Sequence, residues 1–123
     1  MAHKVLIIDD EDDIREVAAL SLESVAGWDV LTASSGAQGL AMAAREKPDA
    51  ILLDVMMPGM DGPTTVRELK KNPATARIPV VLLTAKVQAS DKKRFADLGV
   101  EAVLPKPFDP MKLSDQIAGI LGW

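Results

Sequence analysis

The sequence predicts a single α/β domain built on a parallel β-sheet with helices on both faces. Two observations predict it: short apolar runs alternate with amphipathic segments five times along the 123 residues, and the runs lack the polar alternation of a half-exposed strand. No linker, repeat or low-complexity segment interrupts the pattern. The predicted strands are Lys4–Asp9, Trp28–Thr32, Asp49–Asp54, Val80–Thr84 and Ala102–Leu104. Such alternation is typical of a doubly wound (βα)5 fold.

The first predicted helix follows the first strand almost at once. Small and apolar side chains recur at helical spacing from Ile14 to Val25, which places one stripe of the helix against the sheet. We expect Asp12 or Asp13 to cap the start of this helix, and Gly27 to end it in a left-handed conformation.

The other helices are bounded by turn and capping residues. They are predicted at 36–46, 62–72, 90–98 and from residue 109 onward. Pro58 and Gly59 suit the central positions of a type II turn after the third strand, and Asp61 is placed to cap the third helix. Asp109 and Pro110 are expected to open the last helix.

Composition excludes several functional classes. The chain has a net charge of −4, which argues against direct binding of nucleic acid, because such binding needs clustered lysine and arginine. It has no cysteine, so disulfides and thiolate chemistry are excluded and a cytoplasmic setting is permitted. No apolar run approaches the roughly 18 residues that span a membrane. At 123 residues the chain is expected to form one domain, residues 1–123, without room for a separate DNA-binding or catalytic module, so that it would act through protein contacts.

The polar residues of interest lie where predicted strands end. Asp9 and Asp10 end the first strand, Asp54 the third and Thr84 the fourth, while Lys106 follows the fifth. In open parallel sheets ligands bind beyond the carboxyl ends of the strands. If the first and third strands are neighbours, three carboxylates converge, and their mutual repulsion would cost on the order of 12 kcal/mol. A bound cation relieves this repulsion, and oxygen ligands favour Mg²⁺ or Mn²⁺.

Charge balance at this edge suggests phosphoryl chemistry. Three carboxylates, one divalent cation and the Lys106 ammonium sum to zero. Mg²⁺ is commonly shared between carboxylates and phosphate oxygens, and Lys106 and Thr84 offer hydrogen-bond donors to the same group. Asp54 is the carboxylate nearest the centre, so it is the candidate nucleophile that would form an aspartyl phosphate.

Four motifs make the whole chain resemble the receiver domains of two-component response regulators, with a stand-alone, chemotaxis-receiver-like organisation. They are IIDDEDDIR, LLDVMMPGMDG, VVLLTA and LPKPF. The intervals are also those of the family: 44 residues from Asp10 to Asp54, 30 from Asp54 to Thr84 and 22 from Thr84 to Lys106. The resemblance implies a flavodoxin-like fold with strand order 2-1-3-4-5, Mg²⁺-dependent phosphorylation of Asp54, and a catalytic set of Asp54, Thr84 and Lys106.

The resemblance also implies ligands and partners. Asp10 and Asp54 would bind Mg²⁺ directly, Asp9 largely through water, and Met56 through its backbone carbonyl; the Lys106–Pro107 bond would be cis. The phosphoryl donor would be a histidine kinase or a phosphotransfer protein, and a downstream protein would read the phosphorylated state. Such a domain catalyses its own phosphorylation and dephosphorylation rather than turning over a substrate. A kinase would dock on the start of the first helix, with Ile14 and Arg15, and on 107–109.

One position departs from the family. Receivers usually carry tyrosine or phenylalanine three residues before the site lysine, where this chain has Val103, so the usual aromatic switch of output is in doubt. Two alternatives stay open: a receiver-like domain that binds metal without being phosphorylated, and a receiver that is part of a larger regulator. His3, the only histidine, is predicted to be an exposed terminal residue without a role.

Overall fold

The computed structural model of the chain describes the backbone of residues 3–85 and 89–123 and the side chains of residues 3–85 and 93–123. Within these ranges strands and helices alternate as the sequence predicts. The strands are β1 Lys4–Ile8, β2 Asp29–Ala33, β3 Ala50–Asp54, β4 Val80–Thr84 and β5 Ala102–Pro105. The helices are α1 Asp12–Ala26, α2 Gly36–Glu46, α3 Gly62–Lys71, α4 Ala89–Ala96 and α5 Leu113–Leu121.

The five strands form one parallel sheet in the order β2-β1-β3-β4-β5, which confirms the order that the family resemblance implies. The order reverses at β1, so the carboxyl ends of β1 and β3 flank the switch point of the sheet. Ile8 is in register with Leu53. The residues that follow this pair on the two strands, Asp9 and Asp54, therefore lie at the same edge of the sheet.

Both faces of the sheet are covered, which explains the continuous apolar runs. Successive side chains of a strand point to opposite faces. In β1, Val5 and Ile7 belong to one core cluster, and Leu6 and Ile8 to another. The first cluster includes Leu22 of α1 with Leu113 and Ile117 of α5, and the second includes Val66 and Leu69 of α3 with Phe95 of α4.

The predicted ends of α1 are partly corrected. Its N-cap is Glu11, not Asp12 or Asp13, and the Glu11 side chain makes no capping hydrogen bond. The helix begins one or two residues earlier than expected, so Asp12 and Asp13 lie in its first turn, where their charges interact favourably with the helix dipole. Gly27 ends the helix with φ 69°, as predicted.

The ends of α3 and α5 differ in how well they match the prediction. Asp61 caps α3, accepting a hydrogen bond of 2.8 Å from the Thr64 N–H. The last helix begins at Leu113, four residues later than predicted. Asp109 instead closes a separate turn: its carboxylate accepts from the Met111 N–H and its carbonyl from the N–H of Leu113.

Candidate functional site

The predicted site residues meet at the carboxyl edge of the sheet. Asp54 is the last residue of β3, Thr84 is the last residue of β4, and both are buried. Asp9 follows β1 and is also buried, while Lys106 follows β5. The backbone N–H of Lys106 donates to the Thr84 carbonyl at 2.8 Å, so the ends of β4 and β5 are joined at this point.

Lys106 is the centre of the site's electrostatics. Its Nζ lies 2.9 Å from Oδ2 of Asp9 and 3.0 Å from Oδ1 of Asp54, and its side chain is only 10% exposed. Burial opposes the charge of this ammonium, but the hydrogen bonds to Asp9 and Asp54 outweigh it and raise the pKa of Lys106. The lysine therefore stays charged and partly neutralises two buried carboxylates. The peptide bond that follows it, Lys106–Pro107, is cis as predicted.

Asp54 is the carboxyl most altered by its surroundings. Burial raises the pKa of Asp54 from 3.8 to about 6, and the neighbouring charges of Asp9 and Asp10 act in the same direction. The hydrogen bond from Lys106 works against this rise. At neutral pH the Asp54 carboxyl is therefore ionised, and its burial in the charged form lowers the stability of the fold. Perturbed pKa values of this kind are typical of functional sites.

The acidic cluster fits a divalent cation. Asp9, Asp10, Glu11 and Asp54 each bring a carboxylate oxygen to within 4.8 Å of the others. Among the described residues, Oδ1 of Asp10 and Oδ2 of Asp54 are buried and have no hydrogen-bond partner. Lys106 supplies one positive charge against four negative ones. Buried oxygens without donors in a cluster of excess negative charge are the donor set that Mg²⁺ takes.

The loop between β3 and α3 lies against the site. Met56, two residues after Asp54, is 76% exposed, and its role as a ligand through the backbone carbonyl stays a prediction. Gly59 has φ 74°, as the predicted type II turn requires. Gly62 lies against the end of β3: a Cβ built there would be 2.6 Å from the carbonyl oxygen of Asp54. The loop thus returns directly onto the backbone that carries Asp54.

Sequence reasoning missed two contacts of this edge. Glu11 was not among the predicted site residues, yet its Oε1 lies 3.8 Å from Nζ of Lys106 and belongs to the acidic cluster. Arg15 was considered only as part of a kinase surface, yet its guanidinium turns inward and donates to the Asp9 carbonyl at 2.7 Å. The sequence offered one signal for this direction: Arg15 lies three residues after Asp12, in the first turn of the helix that follows the acidic end of β1, where the two side chains can pair.

Val103, the residue that departs from the family pattern, lies in the middle of the edge strand β5 and is half-buried. It packs against the core cluster that contains Phe95. A shallow groove beside it is lined by Ala96, Val100, Glu101 and Ala102. The position is therefore filled by a small β-branched side chain that has few rotamers to exchange.

These features define a class of protein: a doubly wound α/β domain with an acidic, lysine-bridged cluster at the carboxyl edge of its sheet. The chain belongs to the response regulator receiver domains of two-component signalling, since the family model with the description "Response regulator receiver domain" matches residues 5–118. Receiver domains of this family generally bind Mg²⁺ at an acidic pocket and interact with histidine kinases and downstream effector domains.

Several relatives share most of this chain. The transcriptional regulator RpaA of Synechocystis is 40% identical over 118 residues, which cover 96% of this chain and 48% of RpaA. The response regulator PleD of Caulobacter vibrioides is 43% identical over 122 residues, 98% of this chain and 26% of PleD. The chain thus spans about half, or less, of the length of the curated relatives it matches.

Solved structures agree with the sequence relatives. The chemotaxis protein CheY4 of Vibrio cholerae superposes with a TM-score of 0.91 at 31% identity, covering 98% of this chain and 99% of CheY4. The N-terminal domain of a response regulator receiver protein from Methanoculleus marisnigri gives 0.81 at 33% identity, covering 100% of this chain and 99% of that one. Among the described residues no helix is both long and apolar enough to cross a membrane.

Proposed function

We propose that the domain is a Mg²⁺-dependent phosphoacceptor in which Asp54 receives a phosphoryl group and thereby changes the protein's contacts. The observation that carries this proposal is the state of Asp54: a buried carboxylate with one oxygen on Lys106 and the other without a hydrogen-bond donor among the described residues. A carboxylate stabilised only on one side keeps a free oxygen for attack.

Asp54 would act as the nucleophile. Its free oxygen forms the new bond to phosphorus while the bond from phosphorus to a phosphohistidine nitrogen breaks, and the electron pair of that bond remains on the imidazole. The donor is the phosphohistidine of a histidine kinase or of a phosphotransfer protein, or a small acyl phosphate. Because the pKa of Asp54 is about 6, the carboxyl is ionised and nucleophilic at neutral pH.

The other residues would bind and orient the phosphoryl group. Lys106, already 3.0 Å from Asp54, transfers a hydrogen bond from the carboxylate to a phosphoryl oxygen. Thr84, at the end of the neighbouring strand β4, donates its hydroxyl to the same group.

The cation would be held by Asp10, Asp54, the Met56 carbonyl and, through water, Asp9. When bound, Mg²⁺ or Mn²⁺ supplies positive charge to the phosphoryl oxygens as negative charge develops on them. Asp10 contributes a buried oxygen that lacks a hydrogen-bond partner among the described residues, so binding would satisfy it. Asp54 would bind the cation through Oδ1, the oxygen on Lys106, and keep Oδ2 for attack.

The output would depend on protein contacts. We propose that residues 1–123 form one receiver domain in a cytoplasmic setting, and that a downstream protein, rather than nucleic acid or a membrane, reads its phosphorylation. With Val103 in place of an aromatic residue, Thr84 would be coupled to the α4–β5–α5 face by repacking of a small side chain. A receiver of this kind serves equally as a separate protein or as one part of a larger regulator.

The test is intact-mass spectrometry after incubation with acetyl phosphate, with and without Mg²⁺. We expect the wild-type chain to gain the mass of one phosphoryl group only with Mg²⁺, and Asp54→Asn to gain none. Asp49→Asn, an exposed carboxyl at the opposite end of β3, is the matched control and should be labelled like the wild type. A folded, Mg²⁺-binding wild type that gains no mass would instead support the receiver-like domain that is not phosphorylated.

A further inference from the structure

Arg15 joins the first turn of α1 to the acidic end of β1. Its Nη1 donates to the backbone carbonyl of Asp9 at 2.7 Å, and its Nη2 forms a close ion pair with the carboxylate of Asp12. The Arg15 side chain is 18% exposed, whereas that of Asp12 is 86% exposed. The guanidinium is therefore held on one side by the backbone of the site and on the other by a surface carboxylate.

The carbonyl that Arg15 binds belongs to the peptide between Asp9 and Asp10. The preceding N–H, that of Asp9, donates to the Ala33 carbonyl at 3.1 Å, and the following one, that of Glu11, donates to Oδ1 of Asp9 at 2.9 Å. Because the peptide is planar, holding its carbonyl also fixes the direction in which the chain enters Asp10. Arg15 thus supports the backbone of two residues of the acidic cluster.

The Asp9 carbonyl can be held only by a hydrogen-bond donor, and the described donor is Arg15, one helical turn after Glu11. Groups that do not touch a cation but hold its ligands in place contribute strongly to its affinity.

We propose that Arg15 is a positioning residue of the cation site: it holds the Asp9–Asp10 peptide so that the Asp10 carboxylate faces Asp54. This inference rests on the proposed function, because it concerns the same site. It gives Arg15 a role inside the domain, distinct from contact with a kinase.

Charge and positioning predict opposite effects of removing Arg15. A guanidinium near the acidic cluster repels a divalent cation, so loss of its charge alone would strengthen Mg²⁺ binding. Loss of its hydrogen bond to the Asp9 carbonyl would release the Asp10 carboxylate and weaken the binding. The sign of the change therefore separates the two roles.

The experiment is calorimetric titration of the metal-free full chain with Mg²⁺ for the wild type, Arg15→Met, Arg15→Lys and Asp12→Asn. We expect Arg15→Met to weaken binding about tenfold, the lower end for a group that supports metal ligands. Arg15→Lys keeps the charge and one donor, so its affinity should lie between those of the wild type and Arg15→Met. Asp12→Asn leaves the Asp9 contact in place, and since exposed charges are screened it should change affinity by less than about threefold.

Labelling by acetyl phosphate at increasing Mg²⁺ provides the second readout. In Arg15→Met the half-saturating Mg²⁺ concentration should rise about tenfold, as binding does, while the rate at saturation stays near that of the wild type. A variant that binds Mg²⁺ as tightly as the wild type, or more tightly, would overturn the inference. The inference would also be overturned if Arg15→Met lowered the labelling rate at saturating Mg²⁺ without changing the half-saturating Mg²⁺ concentration.

Failure of the proposed function would look different. A wild-type chain that neither binds Mg²⁺ nor is labelled would remove the proposed function and this inference together, whereas normal wild-type behaviour with unaffected Arg15 variants would remove only the inference. Circular dichroism of the metal-free variants checks their folding. If Arg15→Met does not fold, unchanged Mg²⁺ affinity in Arg15→Lys still overturns the proposal and weakened affinity supports it.

Discussion

The two edges of the sheet are built on opposite physical principles. At the carboxyl edge, Asp9 and Asp54 are buried around Lys106, so polar groups are removed from water and compensated only in part. At the amino edge, the rings of His3 and Trp123 stack with centroids 3.8 Å apart, and Trp28 contacts Trp123 edge-on at 5.1 Å. Aromatic contacts of this kind stabilise the fold without creating unsatisfied charge.

The comparison shows which edge of the sheet can respond to protonation, to a cation or to phosphorylation. A buried acidic cluster changes its energy with protonation, with a cation or with a covalent group, because each alters the same uncompensated charge. An aromatic cluster has no such dependence on a bound group. We therefore expect substitutions at the carboxyl edge to have effects that vary with Mg²⁺, and substitutions at the amino edge to have small effects that do not.

The largest effect is expected from Lys106→Met. The variant leaves the Asp9 and Asp54 carboxylates buried without the Lys106 ammonium, and removal of one partner of a buried ion pair costs about 3–5 kcal/mol. Urea unfolding in EDTA at pH 8 should show a loss of this order, smaller at pH 5, where Asp54 is protonated. Lys93→Met, at an exposed lysine, is the control and should stay within about 0.5 kcal/mol of the wild type. An equal loss in both variants would mean that Lys106 does not stabilise the buried carboxylates.

The second effect concerns the backbone beneath Asp54 and compares two glycines. A Cβ at Gly62 would lie 2.6 Å from the Asp54 carbonyl oxygen and 2.8 Å from Cα of Val55. Since backbone atoms cannot move aside as a side chain can, Gly62→Ala should lower the free energy of unfolding by about 2–3 kcal/mol. Gly119, in the exposed interior of α5, meets nothing within 4 Å among the described residues, so Gly119→Ala should raise it by up to about 1 kcal/mol.

Chemical denaturation distinguishes these two outcomes, and phosphorylation adds a second comparison. Gly62→Ala should also slow labelling by acetyl phosphate, because the displaced backbone carries Asp54, whereas Gly119→Ala should leave the rate unchanged. Unchanged stability in Gly62→Ala would show that the loop can move away from β3.

The third effect is a dependence on pH that belongs to Asp54. Because the pKa of Asp54 is about 6 in the folded chain and 3.8 ordinarily, the folded state keeps a proton that the unfolded state has lost between these values. The stability from this group is therefore fully present below about pH 4 and is lost as pH rises through about 6. Relative to Asp54→Asn, the wild type should lose about 2 kcal/mol between pH 4.5 and 7 in EDTA.

Unfolding curves of both proteins across this range measure the difference directly. The other carboxyls titrate in both, so their contributions cancel to first order. Parallel pH profiles would mean that burial of Asp54 does not alter its protonation.

The fold and most of the site were predictable from the sequence for a local reason. Apolar runs, helical stripes and capping residues are short-range patterns, and the rule that parallel strands present their carboxyl ends together places Asp54, Thr84 and Lys106 at one edge. The strand order itself came from the resemblance, since periodicity does not determine which strands are neighbours.

What escaped prediction depends on contacts between distant residues or on side-chain direction. The interpretation of His3 as an exposed terminal residue was wrong: its ring packs with Trp28 and Trp123, which are far from it in sequence. The inward direction of Arg15 was missed because a helical position half-way between core and solvent permits either direction. The start of α5 was placed too early because Asp109 caps a turn as readily as a helix.

The smallest effect is expected at the amino edge, from His3→Ala. The variant removes a ring that stacks on Trp123 and meets Trp28 edge-on, and aromatic pairs of this kind contribute about 0.5–1.5 kcal/mol. Both tryptophans of the chain lie in this cluster, so their fluorescence should change with the substitution while Mg²⁺ affinity and labelling by acetyl phosphate remain those of the wild type. Met111→Ala, at a side chain 68% exposed, is the control for both readouts. A change in Mg²⁺ affinity in His3→Ala would contradict the separation of the two edges.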